Sequence, residues 1–242
     1  MDKKEAIKII VKCADIYQRL LLNKNVMFVY FNKQTNKYEC FEAAFIAGNF
    51  CHMTGVICNE GLHANDFYQK CINHRLSIED FEFRDDGTTE MKLSVLPDVI
   101  KIHITSRMTG DFTRTGIQLY TEKISGGING CMGFVKDKDY YAPNTVLKED
   151  IRNVTSSPQH RIVATFIKNI RDEKYTELSY LAKKFDINEL KKSKQIIDKT
   201  DQSFLSHPYK VWVENHLPGR ETDSPPHRSM INEIRFSILR KP

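Results

Sequence analysis

The sequence predicts an α+β fold, in which N-terminal helices and a hairpin precede an antiparallel sheet of about four strands. Two observations carry this prediction: helical periodicity dominates before Gly110, and strand-like runs joined by tight turns follow it. Helices followed by hairpin-linked strands are typical of α+β domains and argue against βαβ winding. We expect one domain over residues 1–170, then an extension over residues 171–242 with a helical pair and an extended tail.

The N-terminal segment, residues 3–22, is predicted to be an amphipathic helix, because its apolar side chains recur every three or four positions. Two short runs rich in aromatic and apolar side chains follow, at 27–31 and 38–46. The polar stretch 32–36 separates them, so the pair is predicted to be a hairpin. Residues 62–73 are predicted to form a further short helix.

A second long helix is predicted to begin at Thr88 or Thr89, which follow the turn-forming Asp-Asp-Gly stretch. Its apolar face extends to Ile102. Because Pro97 lies inside the pattern and removes a backbone donor, we expect a kink or two abutting helices there.

The second half of the domain carries the signals of an antiparallel sheet. Runs at 116–124 and 131–136 have strand character, and the glycine-rich stretch 125–130 between them is typical of a hairpin turn. Residues 140–144 are expected to form a loop. Residues 161–167 are predicted to be one more strand, with helix as the competing interpretation.

The C-terminal part returns to helical spacing. Apolar positions from Tyr175 onward predict one helix, and residues 189–199 a second. Residues 175–188 resemble the first helix and turn of a helix-turn-helix, which raises a non-enzymatic nucleic-acid-binding protein as an alternative. A plain helical hairpin explains the same pattern equally well. Residues 201–242, punctuated by proline, are expected to be extended.

Composition excludes several classes of protein. The chain of 242 residues has no apolar stretch near the roughly 20 residues that a membrane-spanning helix needs, and its first residues lack the apolar core of a signal peptide. Its six cysteines form no C-x-x-C pair, so we interpret them as small buried hydrophobes in a reducing compartment. We therefore expect a cytoplasmic protein without membrane attachment.

The charge is unevenly distributed along the chain. Residues 1–147 hold equal numbers of basic and acidic side chains, so the net charge of +5 arises entirely in residues 148–242. A basic region is compatible with a polyanion such as nucleic acid. Charge alone, however, favours an ordinary solvated surface rich in lysine.

Motif patterns exclude several kinds of chemistry. The eight histidines are scattered and none forms H-E-x-x-H, and there is neither a Walker loop nor a G-x-S-x-G elbow. The spaced glycines Gly127, Gly130 and Gly133 lie between two predicted strands and favour a hairpin turn over a phosphate cradle. We expect no metal and no cofactor. Metal-free acid–base chemistry remains, and RNA cleavage needs only a base, an acid and a cation.

His52 is the histidine best placed for such chemistry. It occurs in Phe50-x-His52-x-Thr54-Gly55, which we expect directly after a strand, where the ring would face a cleft and Thr54 would orient it. A histidine packed and hydrogen-bonded at a helix start is an equally good interpretation of the same residues.

Four short motifs, in this order and spacing, resemble a known nuclease family: Phe50-x-His52-x-Thr54-Gly55, Phe67-Tyr68, Gly130-x-x-Gly133-Phe134 and Pro143-x-Thr145-x-Leu147-x-x-Asp150. The family is the fourth of the phage barnase–EndoU–colicin–RelE-like nucleases, and the resemblance covers about residues 1–170. It implies a helical N-terminal part, a four-stranded antiparallel sheet and metal-independent RNA cleavage.

The resemblance gives catalytic candidates residue by residue. His52 and Thr54 match a family motif directly. Lys92, on the helix before the sheet, is added as a cation that would hold phosphate. An ordinary surface salt bridge is the alternative for Lys92.

The RNA-binding candidates come from charge and position. Arg107 and Arg114 flank the turn around Gly110 and could hold phosphate, with an ordinary surface salt bridge as the alternative for each. Thr155 and Arg161, with Ser156, follow the proline motif and could line the same cleft. The remaining candidate is Tyr68. Its ring would stack on a base, although a core position on an amphipathic helix is the plainer interpretation.

The leading interpretation is a metal-independent ribonuclease of a phage or mobile genetic element that acts as a toxin, defence factor or effector. RNA is the expected partner, and the toxin interpretation adds an inhibitor or antitoxin protein. The oligomeric state stays open. A degenerate nuclease fold kept as a binding or inhibitor module is a third interpretation.

Overall fold

The structure is a computed structural model that describes residues 1–113, 120–156 and 159–201. Within these ranges it contains six α-helices: α1 (Lys3–Leu20), α2 (Asn49–Thr54), α3 (Ala64–Ile72), α4 (Thr88–Val99), α5 (Ile102–Thr105) and α6 (Lys194–Lys199). Two 3₁₀ helices lie at Ile151–Asn153 and Ile187–Lys192. Among the described helices, none has the length and apolarity to cross a membrane.

The described residues also form ten strands. They are β1 (Lys24–Asn32), β2 (Lys37–Phe45), β3 (Ile57–Cys58), β4 (Phe81–Glu82), β5 (Met108–Asp111), β6 (Lys123–Gly126), β7 (Cys131–Asp137), β8 (Tyr140–Leu147), β9 (His160–Asn169) and β10 (Glu177–Leu181). β3 and β4 form a small separate pair. The other eight make one sheet, so the fold is α+β as expected, but the sheet is larger than the predicted four strands.

The order of the large sheet is β1-β2-β8-β7-β6-β5-β9-β10, and β1 pairs with β9 as well. This extra pairing closes the strands from β1 round to β9 into a continuous ring of hydrogen-bonded neighbours. The contacts are antiparallel except for the short parallel contact between β2 and β8. The predicted hairpin of β1 and β2 and the predicted strand at 161–167, now part of β9, are confirmed.

Helices α1 to α4 pack on one face of this sheet. Tyr17 of α1, fully buried, contacts the rings of Phe45, Phe50 and Tyr68, and the apolar face of α4 joins the same core. The 12-residue helix α4 contains Pro97 in its last turn and ends at Val99, after which α5 starts at Ile102. The expectation of two abutting helices is therefore confirmed.

The glycine-rich turn joins β6 and β7 as predicted, in antiparallel register. Gly130 packs directly under α4, because a Cβ there would lie 2.4 Å from Cγ2 of Val95. A larger side chain would push the turn away from the helix. The predicted strand over 116–124 lies partly outside the described residues, and within its described part strand β6 begins at Lys123.

Residues 140–144, expected to be a loop, belong to strand β8 instead. The register with β7 shifts there, with Gly133 opposite Thr145 and Phe134 opposite Pro143. Such an irregularity accommodates a proline, which has no N–H to give to the ladder. The loop prediction was wrong because Pro143 and Asn144 suggest a turn when pairing is not considered.

The predicted helical pair over 175–200 is also wrong in its first half. Residues 177–181 form β10, which pairs antiparallel with β9 around an irregularity at Ser179. The open edge of β9 supplies hydrogen-bond partners that outweigh the helical spacing of these residues. The helix-turn-helix interpretation therefore does not fit, and the second predicted helix is divided into the 3₁₀ helix and α6.

The segment after β9 is attached to the sheet by polar contacts to Glu42 of β2. Tyr175 is fully buried, and its hydroxyl donates to Oε2 of Glu42 at 3.0 Å. Lys199 pairs with the other oxygen of the same carboxylate, and the Lys168 ammonium lies 4.9 Å from the centre of the Tyr175 ring. The Glu42 carboxylate of β2 thereby holds Tyr175 and α6, and the Tyr175 ring contacts β9 through Lys168. Residues 202–242, including the expected extended tail, lie outside the described residues, and the domain boundary at 170 stays a prediction.

We predict that Tyr175→Phe lowers the free energy of unfolding by about 1.5–3 kcal/mol, because a buried hydrogen bond to a charged acceptor is lost. Urea unfolding followed by circular dichroism measures the change. Tyr120→Phe is the matched control, since Tyr120 is 82% exposed, and it should leave the stability unchanged. Equal stabilities for the two variants would contradict a stabilising role for the Glu42 contacts.

Candidate active site

The structure brings the catalytic candidates His52 and Lys92 together, but not as a catalytic pair. Lys92 of α4 donates its ammonium to the backbone carbonyl of His52 at 3.0 Å. His52 lies inside helix α2 with its side chain exposed, not after a strand as expected. The contact thus joins two helices through the backbone and leaves the imidazole facing solvent.

Thr54 and Lys92 serve the packing around this junction. Thr54 is fully buried and donates to the carbonyl of Cys51 at 2.7 Å, so its hydroxyl does not orient the His52 ring. Burial lowers the pKa of Lys92 to about 8, and the positive charge of Arg84 acts in the same direction. Gly55 has φ of +75°, and a Cβ there would lie 2.7 Å from Cδ of Lys92. The motif around His52 therefore has a clear structural role.

Two of the RNA-binding candidates are buried. Tyr68 is fully buried against Tyr17 and Phe50, so neither face of its ring is open to a base and the expected stacking does not fit. Thr155 is 8% exposed and donates its hydroxyl to the carbonyl of Ile151.

The arginine candidates lie at separate places. Arg107 is exposed and donates to the carbonyls of Ile104 and Ser106, and its guanidinium stacks 4.3 Å from the Tyr180 ring centre. Arg161 is exposed beside Lys183, whose carbonyl lies 3.5 Å from its Nη2. Arg114 lies outside the described residues. No hydrogen bond, ion pair or ring contact therefore joins the described RNA-binding candidates to His52.

A second group of polar side chains lies on the helix-facing side of the sheet, beyond the end of the helix layer. The register places Tyr30 opposite Glu39, and Phe28 opposite Phe41 one step further inward. Side chains two apart on a strand share a face, so Tyr30 and Glu39 continue the aromatic row that packs on the helices. Toward the β1–β2 turn, the side chains on the same face become polar.

His160 completes this group from the neighbouring strand. Its ring stacks on that of Tyr30 at a centroid distance of 4.9 Å and an interplanar angle of 25°. Partial burial lowers the pKa of His160, while the negative charge of Glu39 opposes that shift. The imidazole is therefore largely in its neutral form near pH 7, in which one ring nitrogen can accept a proton, and this suits a general base.

Glu39 is held by three hydrogen bonds. Its carboxylate accepts from Asn32 at 3.0 Å, from Thr35 at 2.7 Å and from Tyr30 at 3.4 Å. Burial acts to raise the pKa of Glu39, but these donors together lower it. The carboxylate thus stays ionised and fixed in place, with Tyr30 between it and His160.

Two strands on the other side of His160 supply a cation and an anion. Lys123 of β6 forms an ion pair with Asp111 of β5, and the two residues face each other in the register. Both charges influence the His160 titration, as Lys123 lowers the pKa and Asp111 raises it. Lys136, over the ring of Tyr141 at 4.9 Å, adds a second cation on the same face. We call Tyr30, Glu39, Asp111, Lys123 and His160 the His160 cluster.

The His160 cluster combines a titrating imidazole, a fixed carboxylate, a phenol and a lysine on one sheet face. Such a set can remove a proton from a hydroxyl and stabilise negative charge on a phosphate. Within residues 1–113, 120–156 and 159–201, no group of three or more histidine, cysteine or acidic side chains could hold a metal ion.

Sequence reasoning missed this cluster because its members are far apart in the chain. One signal was present in the first hairpin. The alternate positions of β1 change from Phe28 to Tyr30 and then to Asn32, while the facing positions of β2 change from Phe41 to Glu39. A core face that turns polar at its end marks an uncovered stretch of sheet, but the partner His160 becomes visible only when β9 is placed beside β1.

Comparison with known proteins gives one match. The family model described as phage-Barnase-EndoU-ColicinE5/D-RelE like nuclease 4 matches residues 9–184, which is more than half of the chain and includes the whole His160 cluster. Neither the curated proteins nor the solved structures gave a match.

We predict that the pKa of His160 lies below the ordinary value of 6.5 and responds to its neighbours in opposite directions. Glu39→Gln should lower it further, because the stabilising negative charge is removed. Lys123→Met should raise it, because a repelling positive charge is removed. Titration of the imidazole signals by NMR measures all three values, and a wild-type pKa above 6.5 would contradict the burial of His160.

Proposed function

The chain belongs to the phage-Barnase-EndoU-ColicinE5/D-RelE like nuclease 4 family, and from this premise we propose that it is a metal-independent ribonuclease whose active site is the His160 cluster. The observation that carries the proposal is the stack of His160 on Tyr30, with Tyr30 bonded to Glu39 and with Lys123 nearby. Acid–base groups and a cation are what RNA cleavage by its own 2′-hydroxyl needs.

In the proposed reaction, the neutral imidazole of His160 accepts the proton of the ribose 2′-hydroxyl as its oxygen attacks the neighbouring phosphorus. The ionised Glu39 stabilises the imidazolium that forms, because opposite charges close together favour the charged state. Lys123 stabilises the added negative charge on the phosphorane. The bond to the 5′-oxygen then breaks, and the leaving oxygen takes the proton back from the His160 imidazolium by way of water. The products are a 2′,3′-cyclic phosphate and a 5′-hydroxyl, and His160 is neutral again.

A basic groove on the other face of β9 from the cluster supports RNA as the substrate. Arg161 follows His160 in β9 and faces the opposite side of the strand, where it lines a groove with Lys183, Lys184 and Phe185. Cations track the phosphates of a single strand, and an aromatic ring offers a stacking platform. The sequence-based candidate Arg161 is thus retained in a binding role.

We also propose that the enzyme acts as a toxin or effector of a phage or mobile genetic element, in a cytoplasm, where an inhibitor or antitoxin protein would hold it inactive. The phage origin in the family description supports this setting. A nuclease active on cellular RNA harms the cell that makes it, which is the physical reason to expect an inhibitor.

The first test compares two histidines. His160→Ala should reduce cleavage of labelled RNA by about 10²–10⁴-fold, the usual cost of losing a positioned base. His52→Ala is the matched control, since its exposed side chain lies in α2, and it should retain activity. The reverse result, in folded proteins, would return the active site to the His52 motif.

The same assay separates the mechanisms and the alternatives. Cleavage should persist in EDTA, should yield 2′,3′-cyclic phosphate ends, and should stop when the scissile ribose lacks its 2′-hydroxyl. Cleavage of duplex DNA, or activity that EDTA abolishes, would reject the mechanism. An RNA complex without cleavage would instead support the binding-module interpretation of the fold.

The second test concerns the groove. On the inactive His160→Ala background, Lys183→Ala with Lys184→Ala should weaken single-stranded RNA binding and reduce the slope of log K against log salt by about 1.4, because two phosphate contacts are lost. Fluorescence anisotropy at several salt concentrations measures both. Lys4→Ala with Lys8→Ala on α1, also exposed, is the control that should leave the slope unchanged. Equal slopes for the two double variants would place RNA elsewhere.

A further inference from the structure

Two cysteines outside the His160 cluster have their sulfur atoms in contact. Sγ of Cys51, in α2, lies 3.2 Å from Sγ of Cys58, in β3. All six cysteines are free thiols, and this is the closest pairing that the contacts show between two of them. A disulfide bond is about 2.05 Å long, so the two sulfurs need to approach by about 1 Å to become bonded.

We propose that Cys51 and Cys58 form a thiol-oxidation site, at which a peroxide converts the two thiols into a reversible disulfide. The site is independent of the ribonuclease proposal, since neither cysteine belongs to the His160 cluster. The elements it joins, α2 and β3, lie on either side of Gly55.

The two thiols have different surroundings, which assigns their roles. Cys58 is partly exposed, whereas Cys51 is 7% exposed. The contact with Cys51 lowers the pKa of Cys58, while the same contact, together with burial, raises that of Cys51. The thiolate is the reactive form of cysteine, so Cys58 attacks the peroxide and Cys51 resolves the product.

The reaction balances in two steps. The Cys58 thiolate attacks one peroxide oxygen, the O–O bond breaks, and the departing hydroxide takes a proton to become water, which leaves Cys58 as a sulfenic acid. Cys51 sulfur then attacks Cys58 sulfur, and the S–O bond breaks. The second hydroxide takes the Cys51 proton and leaves as water. Two thiols are oxidised to one disulfide, and the peroxide is reduced to two waters.

A disulfide at this position would act on helix α2 and its contacts. Cys51 precedes His52, whose carbonyl accepts the bond from Lys92, and its own carbonyl accepts from the Thr54 hydroxyl. Cys71 is a third thiol nearby, because its charge influences Cys51. Oxidation should therefore link α2 covalently to β3, while Cys71 stays reduced in the core.

The experiment treats the full chain with hydrogen peroxide and maps the products by alkylation and mass spectrometry. We expect a mass loss of about 2 Da, a peptide that links Cys51 to Cys58, and full reversal by dithiothreitol. Cys51→Ser should instead stop at a Cys58 sulfenic acid that dimedone labels. This trapped intermediate shows the order of attack even where the variant is less stable.

Cys40→Ser is the matched control, because Cys40 is the other partly exposed cysteine and its pKa is raised to about 12 by burial. It should leave the Cys51–Cys58 link intact, and Cys58 should alkylate at least several-fold faster than Cys40 in the wild-type chain. Direct conversion of Cys58 to a sulfinic acid without any linked peptide, or a link from Cys58 to Cys71, would overturn the proposal.

Discussion

Strand β1 is the element on which both the sheet and the candidate site depend. It pairs with β2 along one edge and with β9 along the other, and six of its nine residues are buried. A strand buried on both faces must satisfy every backbone group through its neighbours, because no water reaches them. This double pairing places Tyr30 between Glu39 and His160, which lie 121 positions apart in the printed sequence.

The helix layer determines where chemistry can occur on that sheet. Phe28, Phe41 and Phe134 stack under α1 to α4 and form the inner part of the face. Tyr30 is the last buried member of the row. Beyond it, the described side chains on the same face include the charged Glu39, Asp111 and Lys123. The candidate site therefore lies at the end of the core face, next to the residues that pack beneath the helices.

The sequence predicts local features well and pairings poorly. Helix α1, the β1–β2 hairpin and the turn before Cys131 follow from spacing and turn chemistry, which act over a few residues. Strands β8 and β10 were missed, since each is formed only because a neighbouring strand offers hydrogen bonds. The same reason hid the site: the motif around His52 is continuous in sequence, whereas the His160 cluster is assembled from five strands.

The energetics of the cluster argue for a role beyond stability. A half-buried carboxylate costs free energy unless donors replace its water, and Glu39 needs Asn32, Thr35 and Tyr30 for this purpose. Apolar side chains in these positions would extend the aromatic row at lower cost, as buried ionic groups are often replaceable without loss of stability. In this fold, three hydrogen-bond donors bind the Glu39 carboxylate. An imidazole with a lowered pKa, that of His160, stacks on one of these donors, Tyr30. Departures from the most stable packing concentrate at functional sites, which is why these residues are the ones proposed as the active site.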